Sequence, residues 1–341
     1  MKILYAVSPI GLGHATRSSA VALELKTRKA EVIFASGGYA AEYLRGLGFS
    51  VVENVSTPFP KVVKGEMKWA SLWYAKYWWS YRRTKATMKS LVERLSPDVV
   101  VGDEEFSSVE LSIDRGFRHF LITDETELGF AKTYLTRAIE SRVSKWYGRL
   151  LDRASHVVIP DFGENIGNRL YVGPIVRKVT RARVEVRRDR GLPSTGFMVL
   201  LSMSGSGVGL HLFELTKRAL DEAQIPNAFL VVAGNRRRSL AQNGVYDLGV
   251  VGDNQNLIAA ADIVVTNAGK STIDEAAMAG TPVVAIPIRN HSEQERNAAT
   301  TGYVRGVERN LGATFREKMR GRPAPRIYRG AEIVADLILS D

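Results

Sequence analysis

The chain has 341 residues, 45% of them hydrophobic and 24% charged, which suits two globular cores of roughly 150 residues better than one. No apolar run reaches the ~20 residues of a spanning helix, and the absence of cysteine excludes disulfides, thiolate metal sites and a cysteine nucleophile. A formal net charge of +11 points to an anionic partner (nucleic acid, anionic lipid or a phosphorylated ligand) or to a solvated basic surface.

In chain order, Lys2–Val7 is a short apolar run that leads into glycines, and it reads as a first buried strand rather than a leader. Helical periodicity over Thr16–Lys26 follows, then a strand at Glu31–Ala35. Further strands fall at Val51–Glu53, Asp98–Gly102, His119–Thr123 and His156–Ile159. Continuous apolar strands separated by helices imply a parallel sheet covered on both faces. Arg177–Arg190, RKVTRARVEVRRDR, carries seven basic residues without a core pattern and reads as an exposed connection between Gly173-Pro174 and Gly191-Leu192-Pro193. The rhythm then restarts, with strands at Phe197–Leu201, Phe229–Ala233, Asp262–Thr266 and Val283–Ile286. Helices alternate with them near Leu210–Ala223, Ser271–Ala279 and Glu293–Thr300. The expected fold is α/β, two doubly wound Rossmann-like domains facing across a cleft. Residues 1–172 form the first domain, 173–195 a basic linker and 196–320 the second domain, with a C-terminal helix in 321–341 returning to the first.

Ligands of such sheets sit in the loops after the strands. Gly11-Leu12-Gly13-His14 follows the first strand and precedes a helix, a turn that lets backbone approach an anion. A dinucleotide fingerprint fails there, because its third glycine is Thr16 and the second strand ends in Ser36-Gly37-Gly38 rather than an acid. A second glycine-rich turn, Ser202–Gly209, is placed to cradle a diphosphate. Asn267–Thr272 contains GKST, yet the upstream glycine of a triphosphate loop is replaced by Val264. What remains is a strand, a glycine turn and a Ser/Thr-started helix with Lys270 near its positive end, a combination that favours an anion.

These loops and the segment NAGKSTIDEAAMAGTPVVAIPIRNHSEQERNA resemble the inverting glycosyltransferases of the two-Rossmann-domain (GT-B) type. The likeness is greatest to the family 28 group, which includes the bacterial lipid II N-acetylglucosaminyltransferase and archaeal homologues. It is strongest in Val250–Tyr303, next at Ser8–Arg17, and the middle of the first domain carries no motif of it. The resemblance implies a diphosphate site at Ser204, Gly205, Ser206 and Gly207, with Gly269, Lys270, Ser271 and Thr272 beside it. Val251, after a strand beginning near Leu248, stands where relatives read uracil with backbone groups; Glu275 matches the ribose acid, and Glu293 and Gln294 the pair on the donor sugar. A carboxylate is acceptor-only and suits a vicinal diol, whereas an amide both donates and accepts. Gly11, Gly13 and Arg17 fall on the acceptor loop, and His14 matches the histidine proposed as general base. Asp103 resembles the acid that orients it, with Glu104, Glu105 and Asp124 competing for that role. Two departures touch the sugar's identity: Lys270 replaces a small or apolar residue, and Glu295-Arg296 stand where relatives often carry aromatics.

Met67–Arg83, MKWASLWYAKYWWSYRR, holds Trp69, Trp73, Trp78 and Trp79 among lysines and arginines, a composition suited to an anionic membrane interface or a lipid acceptor. An aromatic helix packed on its own domain, or a carbohydrate-stacking wall, is the other explanation. The combined expectation is transfer of N-acetylglucosamine or another hexose, with inversion, from a UDP-sugar to a hydroxyl acceptor that is lipid-linked. The protein would act in the cytoplasm, peripheral on the inner membrane face, without metal or further cofactor. Two rivals stay open: a UDP-sugar epimerase of the same fold, and a non-catalytic sugar-nucleotide-binding subunit of a membrane complex. Nucleic acid has only Arg236-Arg237-Arg238 and the basic linker behind it, with no recognised binding module.

Overall fold

The computed structural model describes residues 1–53, 55, 57–58, 61–63, 66–68, 70–124, 134–203, 211–234, 240–288, 291–302 and 310–340. The chain divides into two compact units, one of Met1–Lys61, Met67–Val176 and Tyr328–Asp341, the other of Val62–Glu66 and Arg177–Ile327.

The first unit begins with β1 (Lys2–Val7), α1 (Gly13–Thr27), β2 (Glu31–Ser36), α2 (Gly38–Gly46) and β3 (Ser50–Glu53). A two-stranded ribbon of β4 (Lys61–Val63) and β5 (Glu66–Lys68) precedes α3 (Ala70–Leu95). Then come β6 (Val99–Asp103), α4 (Phe106–Arg115), β7 (His119–Ile122), α5 (Tyr134–Arg153), β8 (His156–Ile159) and β9 (Arg169–Tyr171). The sheet order is β3-β2-β1-β6-β7-β8-β9, and its strands pair in parallel. Apolar side chains fill both faces. Tyr5, Phe34 and Phe120 pack on α1 and α2 on one side, while Leu4 and Val100 pack against Met88 of α3 on the other. Burial on both faces is what makes these strands read as unbroken apolar runs.

The second unit runs α6 (Arg183–Asp189), β10 (Met198–Ser202), α7 (His211–Ala223), β11 (Phe229–Ala233), β12 (Val245–Asp247) and α8 (Asn254–Ala260). It continues through β13 (Ile263–Thr266), α9 (Lys270–Ala279), β14 (Val283–Ala285), α10 (Ser292–Ala299) and α11 (Leu311–Lys318). Its parallel sheet has the order β12-β11-β10-β13-β14. The doubly wound α/β pattern read from the sequence is therefore present twice. The last helix, α12 (Gly330–Ser340), returns to the first unit, where Val334, Ala335 and Ile338 join the core beside α1. Gly330 makes that return possible: a Cβ there would stand 2.6 Å from the carbonyl oxygen of Pro174.

The segment 173–195 departs from its reading as an exposed linker. Residues 173–176 belong to the first unit; from Arg177 the chain is part of the second, where α6 places Val186 in the core and Arg187 is 1% exposed. The reason is Asp262, whose Oδ2 accepts from Arg183 Nη2 at 2.7 Å, Arg187 Nη2 at 3.1 Å and the Met198 backbone N–H at 2.8 Å. Arg187 also lies 5.3 Å over the Phe229 ring and donates to the carbonyl of Gly196. Charges that look solvated in one dimension are thus satisfied in the fold.

Candidate active site

In each sheet the strand order reverses at one point, between β1 and β6 in the first unit and between β10 and β13 in the second. Open α/β sheets bind ligands at the carboxyl end of this switch point. The candidate residues cluster at those two places.

In the first unit, β1 and β6 are in register so that Val7 faces Asp103, and the Ser8 N–H donates to the Asp103 carbonyl at 2.9 Å. Gly11 turns the chain with φ of +72°, and α1 starts two residues later. Positions three and four apart share one helix face. His14, Arg17 and Ser18 therefore project together from the first turns of α1 toward Asp103. His14 Nδ1 lies 3.3 Å from Asp103 Oδ1, and Ser18 Oγ donates to Asp103 Oδ2 at 2.7 Å. Arg17 grips the same carboxylate through Nη2 at 2.6 Å and Nε at 2.9 Å, and its Nη1 meets Asp124 Oδ2 at 2.5 Å. Its Nη2 is also 3.2 Å from His14 Nδ1.

The electrostatics follow from this geometry. Burial opposes ionisation of Asp103, which is wholly enclosed, but the Arg17 charge and the bonds from His14 and Arg17 outweigh it and hold the pKa near about 2. Burial also works against a charged His14, and Arg17 adds to that; the bond to Asp103 and the charges of Asp103 and Glu104 prevail, so its pKa is raised. With the neutral ring's proton on Nδ1, facing Asp103, Nε2 carries the lone pair. His14 is 23% exposed, so it is the member of the group that faces out.

Of the four acids near this turn, two share Arg17 and two do not. Asp103 holds His14 and Arg17. Glu105 caps α4, accepting from the N–H groups of Ser107 and Ser108 at 3.2 and 2.8 Å. Asp124 pairs with Arg17. Glu104 accepts from Thr123 Oγ1 at 2.6 Å and from the Asp124 N–H at 3.1 Å. Arg17, which the sequence places on an acceptor loop, is instead 5% exposed and engaged by two carboxylates, because a buried guanidinium needs such partners.

In the second unit, Asn267 and Ala268 follow β13 and Gly269 is the N-cap of α9. Ala268 is left-handed, with φ of +60°, and Asn297 of α10 donates to its carbonyl at 3.2 Å. Gln294 accepts from the Ile288 N–H at 3.0 Å, and Asn297 Nδ2 is 3.5 Å from Glu293 Oε1. The segment is thereby folded on itself by amide side chains, bringing Gly269–Thr272 and Glu293–Gln294 into one neighbourhood. Lys270 Nζ lies 3.3 Å from Asp274 Oδ2, one turn along α9. Ser204, Gly205, Ser206 and Gly207 lie outside the described residues, as does Trp69.

Glu275, read as the ribose acid, is buried, and its Oε1 accepts from Arg177 Nε at 2.9 Å. Arg177 also donates from Nη1 to the Gly252 carbonyl at 2.6 Å, beside Val251. Sequence reasoning missed Arg177 because it sits inside a basic run; the apolar Pro174-Ile175-Val176 just before it was the available signal of burial. The strand expected near Leu248 is β12, which ends at Asp247, and the Val251 side chain belongs to the core.

The aromatic segment divides. Trp73 turns inward and donates to the Pro58 carbonyl at 2.7 Å, so it anchors a loop rather than facing solvent. Trp78 and Trp79 are exposed, at 42% and 67%, with Arg82 and Arg83 over their rings. Trp78 also stacks on Tyr81 and meets Trp146 edge-on. Among the described residues no helix is long and apolar enough to cross a membrane, and no group of three or more His, Asp and Glu is arranged to hold a metal ion.

Comparison with known proteins bears on the fold and on the class of activity. Residues 214–309 match the glycosyltransferase family 28 C-terminal domain. An uncharacterized glycosyltransferase of Methanosarcina acetivorans is 26% identical, over 89% of this chain and 85% of its own length. A Bacillus cereus UDP-N-acetylglucosamine–N-acetylmuramyl-(pentapeptide) pyrophosphoryl-undecaprenol N-acetylglucosamine transferase is 24% identical, over 79% of this chain and 76% of its own. Among solved structures, the glycotransferase of kitacinnamycin superposes with a TM-score of 0.61 over 99% of this chain and 98% of that one, at 16% identity. The protein is a glycosyltransferase of GT-B fold, and the match to the family 28 C-terminal domain lies within its second unit.

Proposed function

We propose that the protein transfers a hexose, N-acetylglucosamine in the first instance, from a UDP-sugar to the hydroxyl of a lipid-linked acceptor, with inversion at the anomeric carbon. The observation that carries the chemical half is the His14–Asp103 contact at the switch point of the first unit. The acceptor oxygen attacks C1 as the bond from C1 to the UDP oxygen breaks, and His14 Nε2 takes the hydroxyl proton. Asp103 fixes the tautomer and stabilises the imidazolium, the logic of a histidine–carboxylate couple. UDP leaves as the anion. Donor binding is assigned to the second unit. The start of α9 with Gly269, Lys270, Ser271 and Thr272 offers amides and a positive helix end to the diphosphate, together with the Ser204–Gly207 loop. Gly252 and Val251 present backbone to uracil, Glu275 oriented by Arg177 takes the ribose, and Glu293 with Gln294 takes the sugar. With these groups balancing the leaving charge, the reaction is proposed to need no metal.

The lipid-linked acceptor is favoured by the undecaprenol-linked chemistry in the name of the Bacillus cereus relative and by the exposed Trp78–Arg82 and Trp79–Arg83 pairs. These pairs suit the cytoplasmic face of an anionic membrane. The test is a transfer assay with UDP-, GDP- and TDP-sugars, EDTA, and polyprenyl-linked or simple hydroxyl acceptors. UDP release that requires acceptor, and a product with the opposite anomeric configuration, is the expected result. Rearrangement of the donor without acceptor would favour an epimerase, and UDP binding without turnover a binding subunit.

A further inference from the structure

His211 is the first residue of α7 and lies ahead of the stretch 214–309 that matches the family 28 domain. The sheet brings it to the switch point of the second unit. β10 and β13 pair with Ser202 opposite Thr266, so Asn267 emerges beside the strand that leads toward α7. Asn267 is 7% exposed, and its Nδ2 lies 3.4 Å from the Ile286 carbonyl oxygen and 3.5 Å from His211 Nε2. A carbonyl only accepts, which turns the NH₂ end of the amide toward both neighbours. His211 Nε2 therefore presents its lone pair to Asn267, and the ring proton is on Nδ1. His211 itself is exposed. A buried amide thus sets the tautomer of an accessible imidazole. Asn267 stands two residues before Gly269, the N-cap of α9, so the ring lies beside the helix start to which the diphosphate is assigned.

An anion held here needs more than the local cations. UDP leaves with more negative charge than the sugar nucleotide carried, and both cations described at this end of the sheet face an acid. Lys270 Nζ is 3.3 Å from Asp274 Oδ2, and Arg177 Nε is 2.9 Å from Glu275 Oε1. Part of each positive charge is offset within the protein. A further N–H dipole, held in a fixed tautomer and aimed where charge develops, is the kind of group that stabilises a departing anion.

We propose that His211 is a binding residue for the donor's diphosphate, its Nδ1–H donating to a phosphate oxygen of the UDP-sugar and of the departing UDP. Asn267 is the positioning residue that keeps the proton on Nδ1. His211 transfers no proton: it keeps its own throughout, and the acceptor's hydroxyl proton goes to His14. The proposal rests on the reading of the second unit as the UDP-sugar site.

The experiment compares uridine with UDP on the full chain, two probes that share base and ribose and differ only in the diphosphate. UDP is titrated by calorimetry and uridine, the weaker ligand, by NMR at millimolar concentration. His211→Ala should bind UDP about tenfold more weakly, the scale of one hydrogen bond to a charged group, while uridine affinity stays within about twofold of wild type. The melting temperature should not move, because the ring is exposed. His211→Gln keeps a side-chain N–H and should recover part of the loss, which a merely space-filling role would not show. UDP affinity within about twofold of wild type in His211→Ala would overturn the proposal. So would an equal loss for uridine and UDP, which would make His211 a support of the nucleoside side alone. A wild-type protein that binds uridine as tightly as UDP would instead sink the donor reading itself, and that result is seen before any variant is made.

Discussion

The two switch points of this molecule are built from different materials. At β1/β6 the site is made of side-chain charges: His14 and Arg17 from α1, Asp103 and Glu104 at the end of β6, and Asp124 after β7. At β13/α9, the turn is shaped by backbone and amides: left-handed Ala268, the Gly269 cap, Asn297 on a carbonyl and Gln294 on an N–H. On the proposed chemistry a proton moves in the first, which suits titratable groups in contact. The proposed role of the second is to hold an anion, which fixed dipoles do at every pH. The same fold is thus specialised twice, by what is placed after equivalent strands.

The largest expected effect breaks the chemical side of this contrast. His14→Ala should slow turnover by roughly 10²–10⁴-fold, the range for a general base, while calorimetry finds UDP affinity within about twofold of wild type. A parallel loss of affinity would mean that the two units are not separable in this way. Arg17→Met tests the scaffold beneath it. The methionine fills much of the same volume but leaves Asp103 and Asp124 without their cation, and removing one partner of a buried ionic group typically costs about 3–5 kcal/mol. Urea unfolding should show a loss on that scale, and a variant as stable as wild type would make the Arg17 network dispensable to the fold.

Much of this was legible in one dimension, and the exceptions have physical reasons. Strands buried on both faces announce themselves as apolar runs, so β1, β2, β6, β7, β10, β11 and β13 were readable to within a residue or two. His14 and Asp103 were readable as candidates because each follows a strand. Their contact was not, since sheet order decides which strand ends are neighbours and β1 meets β6 across some ninety residues. Arg17, Arg177 and Arg187 were misplaced for a shared reason. An arginine is buried only when acids from distant segments meet it, and Asp103, Glu275 and Asp262 lie 86, 98 and 75 positions away. Glu104 was visible as one acid among four; its left-handed backbone, with φ of +50°, was not.

A smaller effect sharpens the donor side. Glu275→Gln keeps an oxygen for Arg177 but removes the charge offered to the ribose, and UDP should bind about tenfold more weakly, roughly 1.4 kcal/mol. Unchanged affinity together with a lower melting temperature would leave Glu275 as a structural partner of Arg177 alone.

The smallest effect is expected where the second site is made of backbone. Ala268→Gly relieves a left-handed alanine, worth up to about 1 kcal/mol in favour of the variant. It also deletes a fully buried methyl group, which costs about 0.8 kcal/mol. The two nearly cancel, so stability should stay within about 0.5 kcal/mol of wild type and UDP affinity should not change, since the carbonyl held by Asn297 and the amides of α9 keep their directions. If affinity falls while stability holds, the alanine's stiffness is what aims the turn, and the donor side then depends on rigidity as closely as the acceptor side depends on charge.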